Sequence, residues 1–329
     1  ALIDILDKTS PVFSISYVWG YSFLVNYAIF LWRFFFWLTS LKLLRKPIRK
    51  IATLFNRMNS KEFMHFLCRE NPHAIISTHF LPSEVAAALK FNRKIDSKVI
   101  TVVTDFAVHP FWVSPGIDKY VVATEYTKHK LINEGVSEKA IEVLGIPVHP
   151  KFLVRYEKSS LCVKLNIERN KFTILIVTGS FGIGPIEEIV ELLRNQAQIL
   201  VVCAKNRALY NKLKVKNYAG VYVYGFIDNI EELMAVSDII ITKPGGSSIA
   251  EILNMELVPI FIHPIPGQET ENIKAMSYYG IGSYARGLRD IAEAVDYYKN
   301  NPSGISAVKC KIRELKNAFR PQGVCDVIR

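Results

Sequence analysis

From residue 70 onward the chain alternates short β-branched runs with stretches of helical periodicity, and that alternation leaves few folds open. Two parallel strands in sequence need a crossover between them, and each crossover helix covers one face of the sheet. The pattern therefore predicts an α/β fold with a mostly parallel sheet buried on both sides. In the first half the expected strands are Ala74–Ser77, Lys98–Val103, Lys119–Ala123 and Ile141–Leu144, with helices over Ser83–Lys90 and Thr127–Asn133. After a polar segment around Arg155–Asn170 the alternation starts afresh with Phe172–Val177 and runs through strands at 198–203, 220–224, 238–242 and 258–262. Helices near 288–299 and 302–319 close it. A second start predicts a second domain, with 1–150 forming the first and 151–329 the other.

The charge is unevenly placed. Of the 41 basic residues behind the formal net charge of +11, Lys8, Arg33, Lys42, Arg45, Lys46, Arg49, Lys50, Arg57 and Lys61 fall in one interval that contains no acid. The same interval carries the aromatic run Tyr27–Leu38, a pairing that suits an anionic membrane surface better than nucleic acid. Its plainer alternative is a packed aromatic face beneath solvated cations. Thr9–Trp32 is 24 residues without a charge, long enough to cross a bilayer. It also holds Pro11, Gly20, Asn26, four serines and three tyrosines, so a buried or interfacial segment is the preferred reading. Five scattered cysteines, without a paired C-x-x-C, give neither a disulfide framework nor a zinc site and point to a reducing cytosolic compartment. Ala1–Leu6 reads as a strand already under way, which makes the chain a candidate fragment.

The sharpest chemical signal is Thr242-Lys-Pro-Gly-Gly-Ser-Ser-Ile-Ala-Glu251. A strand end, two glycines and two hydroxyls just before a helix offer Gly245, Gly246, Ser247 and Ser248 to a phosphate through free backbone N–H groups and a positive helix end. Glu251, one to two turns on, is placed to accept hydrogen bonds from a ribose diol. Taken alone, the same residues also read as a tight turn with Ser247 as helix cap and Glu251 solvated. Pro264–Asn272 follows the next strand and adds Gln268, Glu269 and Asn272, polar groups able to grip sugar hydroxyls at the same carboxyl-terminal edge. Gly179-Ser180 and the loop to Gly184 can approach a diphosphate, and Phe226-Ile227 can lie beside a flat base; simple turns are the alternative for both.

Together these loops resemble the nucleotide-sugar domain of the two-domain glycosyltransferases that include the monogalactosyldiacylglycerol synthases and the processive diacylglycerol glucosyltransferases. More distantly they resemble the lipid-linked N-acetylglucosaminyltransferase of peptidoglycan synthesis. The motifs are Lys243–Glu251 and Pro266–Asn272; Thr101–Trp112 with its His-Pro-aromatic ending and Gly145–Val148 extend the likeness over residues 70–285, and over 1–70 in character only. The resemblance implies two Rossmann-like domains facing across a cleft, GT-B type, the first without its opening strand and loop. It assigns Glu251 to the ribose, Gly246, Ser247 and Ser248 to the diphosphate, Gln268 and Glu269 to the hexose, and Phe226 and Ile227 to uracil.

In the first domain, Asp105 and His109 follow a strand end. His109 can exchange a proton with an acceptor hydroxyl or contact the diphosphate, with Asp105 orienting it; a capping Asp105 and a packed His109 are the plain alternatives. His79 is a weaker candidate of the same kind. The family's Gly-His loop, which carries its favoured base, is expected before Ala1. The implied reaction is inverting transfer of a hexose from a UDP-sugar to diacylglycerol or a glycosyl-diacylglycerol, by a peripheral protein at the cytoplasmic face of a membrane. No cofactor is implied, and no metal either, since no Asp-x-Asp pair adjoins the phosphate loops. A nucleotide-sugar epimerase and a truncated, inactive UDP-sugar-binding protein are the rivals; which hexose and which oligomeric state are open.

Overall fold

The computed structural model describes residues 2–40 and 42–328, with the side chains of 17, 18, 21, 22, 25–27, 35–37, 39, 40, 42–47, 49, 50, 321 and 322 left aside. Ala1, the aromatic side chains of Tyr27, Phe35, Phe36 and Trp37, and the basic ones of Lys42, Arg45, Lys46, Arg49 and Lys50 thus lie outside what is described. The chain divides into two compact units: residues 1–146, 265–271 and 318–329 form the first, and 147–264 with 272–317 the second.

The first unit begins with α1 (Pro11–Tyr27), α2 (Ile29–Ser40), α3 (Lys42–Asn59) and α4 (Lys61–Glu70). Where a strand was expected over the first six residues, Ile5–Lys8 forms a 3-10 turn instead. The cause is local: Asp4 accepts the Leu6 N–H at 2.9 Å, so a side chain competes for a backbone donor that a strand would need. Pro11 fits the first position of α1, where it forfeits no hydrogen bond, and Ser10 caps it by accepting from Phe13 N. The uncharged stretch is broken at Ala28, whose φ of −130° and ψ of 43° end α1. Among the described residues no helix is long and apolar enough to cross a membrane.

The sheet of this unit comprises β1 (Ala74–Ser77), β2 (Lys98–Val102), β3 (Lys119–Val122) and β4 (Ile141–Val143), interleaved with α5 (Phe80–Phe91) and α6 (Glu125–Asn133). Its strands are parallel and lie in sequential order. Side chains alternate: Val99 packs with Leu81, Val85 and Leu89 of α5, whereas Ile100, Val102 and Val121 meet Val324, Val327 and Ile328 of the C-terminal tail. The tail is pinned by Arg320 N donating to Leu144 O at 2.8 Å. α5 starts three residues earlier than expected because His79 Nδ1 caps Leu81 N and Pro82 sits within the first turn, where its missing N–H does no harm.

The second unit runs α7 (Lys158–Leu165), β5 (Thr173–Val177), α8 (Ile186–Leu193), β6 (Gln198–Val202), α9 (Arg207–Lys216), β7 (Val221–Tyr224), α10 (Ile230–Val236), β8 (Ile239–Thr242), α11 (Gly246–Asn254), β9 (Val258–Phe261), α12 (Gln268–Tyr278), β10 (Ser283–Tyr284), α13 (Leu288–Asn300) and α14 (Pro302–Lys316). The first turn of α12 belongs to the first unit and the rest to the second. Six parallel strands take the order β10-β9-β8-β5-β6-β7. Ile174, Leu175, Ile176, Ile199, Val201, Ile239 and Ile241 are fully buried, as continuous β-branched runs covered on both faces should be. The order matters for function: the chain steps outward from β5 in one direction, returns, and steps outward from β8 in the other. Between β5 and β8 lies a topological switch point, the place at which open α/β sheets commonly bind ligands.

Candidate functional site

Two of the sequence-derived loops flank that switch point. Val177 and Thr242 are neighbours in register, so the chain leaves β5 and β8 side by side into Thr178–Gly184 and Lys243–Gly245. The first of these loops turns on left-handed glycines: Gly179 at φ 83°, Gly182 at 57° and Gly184 at 137°. At Gly182 space also forbids any side chain, since a Cβ would stand 2.3 Å from the Cys203 carbonyl oxygen. Asn206 Nδ2 holds the Gly182 carbonyl at 3.0 Å and Lys205 N that of Ser180 at 3.2 Å. Gly179 and Ser180 themselves are exposed.

The second loop leads straight into α11. Gly245 is its N-cap, and no side chain caps the helix. Ser247 thus stands in the first turn, exposed, and is not the cap that the plainer reading made of it. Among the described residues no side chain caps the first-turn N–H groups of Gly246, Ser247 and Ser248, and the helix dipole puts partial positive charge on them, so the turn is suited to an anion.

Glu251 lies in the second turn of α11, half-buried. Burial pushes its carboxyl above the ordinary range; Lys151 pulls it down, and Glu231 pushes it up again. Lys151, in the 3-10 turn Pro150–Leu153, is one of the groups that sequence reasoning missed. Its ammonium stands 2.9 Å from Glu231 Oε2 and donates to the Asp228 carbonyl. That carbonyl ends the loop after β7 in which Phe226 is 63% exposed and Ile227 half-buried. Lys151 has no motif around it; its only sequence signal is its place just after Gly145–Val148.

Two further groups at the same edge escaped sequence reasoning. Thr178 Oγ1 is sealed from solvent without a hydrogen-bond partner. His263 follows β9 with a left-handed φ of 43°, unusual for a residue with a Cβ, and its imidazolium is disfavoured first by burial, then by Lys243, against the pull of Glu188. Asn272 is fully buried, and its amide donates to the Pro244 carbonyl at 3.1 Å. It braces the loop before α11 from beneath.

Gln268 and Glu269 fall in the first unit. There Gln268 Nε2 donates to Asp105 Oδ2 at 2.7 Å, joining an expected sugar-binding amide to an expected catalytic carboxylate 163 positions away. Asp105 is only 5% exposed. The turn that presents Gln268 is held twice more: Ile265 N donates to Glu269 Oε2 at 2.7 Å, and Trp32 Nε1 of α2 donates to the Pro266 carbonyl at 2.9 Å. His109 caps a short 3-10 turn, its Nδ1 accepting Phe111 N at 3.3 Å, so the neutral ring carries its proton on Nε2 and presents a donor. His79 accepts Leu81 N in the same way. Although the residue is largely exposed, its ring lies 4.2 Å from that of Phe80 and 6.4 Å from that of Trp112, and this apolar packing lowers its pKa.

Known proteins share both halves. Residues 1–148 match the monogalactosyldiacylglycerol (MGDG) synthase family, and residues 173–276 the glycosyltransferase family 28 C-terminal domain. The processive diacylglycerol beta-glucosyltransferase of Bacillus pumilus (strain SAFR-032) is 31% identical over 281 residues, covering 84% of this chain and 73% of that protein. The protein of the same name from Bacillus cereus (strain AH187) is 29% identical over 327 residues, 97% of this chain and 81% of its own. Among solved structures, MurG of Acinetobacter baumannii superposes with a TM-score of 0.61 at 14% identity, covering 83% of this chain and 80% of that one. Anabaena Alr3699/HepE, solved in complex with UDP, does so with a TM-score of 0.55 at 12% identity over 82% and 81%. The fold is thus that of GT-B glycosyltransferases, with two parallel sheets.

Proposed function

The chain belongs to the family of the monogalactosyldiacylglycerol synthases and processive diacylglycerol glucosyltransferases, which are lipid glycosyltransferases, and on that premise we propose that it transfers a hexose from a UDP-sugar to diacylglycerol or a glycosyl-diacylglycerol, with inversion. The observation that carries the donor half is the uncapped start of α11 at the switch point, with half-buried Glu251 one turn further on. In this reading the diphosphate rests on the N–H groups of Gly246, Ser247 and Ser248 and near Gly179 and Ser180. Glu251 accepts the ribose hydroxyls, and uracil lies against Phe226 and Ile227.

The reaction is a direct displacement. The lipid hydroxyl oxygen bonds to the anomeric carbon while the bond from that carbon to the diphosphate breaks, and the electron pair leaves with UDP. Positive helix-end charge and N–H donors stabilise the charge that develops there. Asp105 is the base that takes the hydroxyl proton. Its bond to Gln268 sets the amide against the hexose, and Glu269 adds an acceptor for a sugar hydroxyl. His109, a donor at Nε2, serves an oxygen of the sugar or the diphosphate and not the departing proton.

The acceptor is met at a lipid surface. Val12, Ile15, Trp19 and Phe23 recur at helical spacing along α1 and are 58–76% exposed; Ile51, Leu54, Phe55 and Met58 do the same on α3 at 57–70%. The ring of Phe55 lies 5.6 Å from that of buried Phe13, which ties the two helices together. Together with the basic residues of this interval, these faces suit peripheral attachment to an anionic membrane.

The test is product analysis: labelled UDP-glucose and UDP-galactose, supplied with vesicles of diacylglycerol and an anionic phospholipid, should yield a β-linked glycolipid. Interconversion of the two nucleotide sugars without lipid would establish the epimerase instead, and UDP binding without turnover the inactive binder.

A further inference from the structure

One cation joins three pieces of the second unit that sequence alone keeps apart. Lys151 is positioned by the turn it stands in, His149 Nδ1 accepting its N–H at 3.3 Å. Its side chain is 28% exposed and its ammonium lies 5.4 Å from the centre of the Phe152 ring, so the charge is largely withdrawn from water. It is spent on the Asp228 carbonyl and on Glu231, whose residue is 7% exposed. Glu231 sits in the first turn of α10, where the helix end favours an anion, yet its Oε2 is sealed off and meets the ammonium outside hydrogen-bonding angles. A buried pair with so few hydrogen bonds is a weak stabiliser of the fold, because desolvation offsets most of the attraction. Such a pair invites a role other than stability.

We infer that Lys151 is a positioning residue for the nucleoside half of the donor, fastening the Phe226–Asp228 loop at its far end through the Asp228 carbonyl. The inference rests on the donor reading above and adds to it a residue that touches no substrate. The loop after β7 leaves Phe226 63% exposed, and the Asp228 carbonyl is the point at which a long side chain from elsewhere grips it. The charged groups that act on Glu251 are this same Lys151 and Glu231, with opposite effects.

Lys151→Met alone leaves the Glu231 carboxylate buried without its cation and risks the fold, so the decisive variant is Lys151→Met with Glu231→Gln, which removes both charges together. UDP binding is measured by calorimetry from pH 5 to 8, beside wild type and Lys151→Arg, with thermal melting of each. We expect the double variant to melt close to wild type and to bind UDP about tenfold more weakly, a loss of about 1.4 kcal/mol, with its pH dependence little changed because the two charges removed act on Glu251 in opposite senses. Lys151→Arg should restore the affinity. A double variant that binds UDP like wild type across this range, or one whose weaker binding follows entirely from a lower melting point, would overturn the inference. Absence of UDP binding by wild type would bring down the donor reading and this inference with it, whereas wild-type binding with an unaltered double variant overturns the inference alone.

Discussion

The two sheets of this molecule offer their proposed sites by different means. In the six-stranded sheet the strand order reverses between β5 and β8, and the loop after β8 leads into a helix start that no side chain caps. In the four-stranded sheet the order is sequential, and the described strands contain no such reversal. What the first unit lacks in topology it assembles from distant side chains: Asp105 after β2, Gln268 163 positions later, and Trp32 of α2 holding the same turn. A site built from backbone should tolerate changes of side chain; a site built from side chains should not.

The largest effect is therefore expected in the first unit. Asp105→Asn should lower kcat about 10³-fold, the scale of a lost general base, while UDP affinity stays as it was; equal losses in both would mean that the carboxylate is structural. Next comes the exception within the second unit. Glu251→Gln should raise KM for the UDP-sugar about 10²-fold, since hydrogen bonds to a charged acceptor contribute roughly 1.5–3 kcal/mol each, with kcat largely kept.

The same variant carries a pH test. The carboxyl of Glu251 titrates above its ordinary range in the folded protein, so the fold binds its proton more tightly than the unfolded chain does. Wild type should then lose stability as pH rises from the ordinary carboxylate range through that raised value. Glu251→Gln should melt higher than wild type at neutral pH, with the difference closing in acid; a constant difference would contradict the assignment. Donor binding should fall on acidification at a pH above the usual carboxylate range.

Smaller effects sharpen the contrast. Trp32→Phe removes one donor and keeps the ring, so the Pro266–Gln268 turn should loosen by about 0.5–1.5 kcal/mol, read as a three- to tenfold loss of discrimination between UDP-glucose and UDP-galactose without change in UDP affinity. Ser247→Ala should change KM by about threefold or less, because the N–H and not the hydroxyl faces the anion; a large effect would make the serine side chain itself the ligand.

The second unit could be read from its sequence because its chemistry follows from local order. Thr242–Glu251 spells out strand end, turn, uncapped start and acid in ten consecutive residues, and the glycines at 179, 182 and 184 mark a loop whose dihedrals demand them. Five of the six strands were legible to within a residue because β-branched runs buried on both faces have no other use; β10, only Ser283–Tyr284, is too short to form such a run and was missed. What escaped were groups defined by space alone. Lys151 acquires its meaning from Asp228 and Glu231, and no periodicity announces that meeting. In the first unit, a role for Asp105 in orienting His109 could be proposed from the sequence, but not the meeting of Asp105 with Gln268 or of His109 Nδ1 with a backbone N–H. The strand expected at the outset failed because Asp4 captures a backbone donor that a sheet would have used.

The interleaving of the two units bears on how such a protein can be recombined. Residues 265–271 and 318–329 are encoded within the second half but belong structurally to the first. A chimera cut once near residue 147, made to exchange the nucleotide-binding loops between relatives, would import the foreign Gln268 turn and tail along with them, and set both against a first unit that had not been fitted to them. Grafting 147–264 with 272–317, and leaving the two short segments native, keeps each set of partners together. Donor preference then has no contiguous unit of inheritance: in this reading the nucleotide travels with the pair of segments, and the hexose, through Gln268 and Glu269, with the insert.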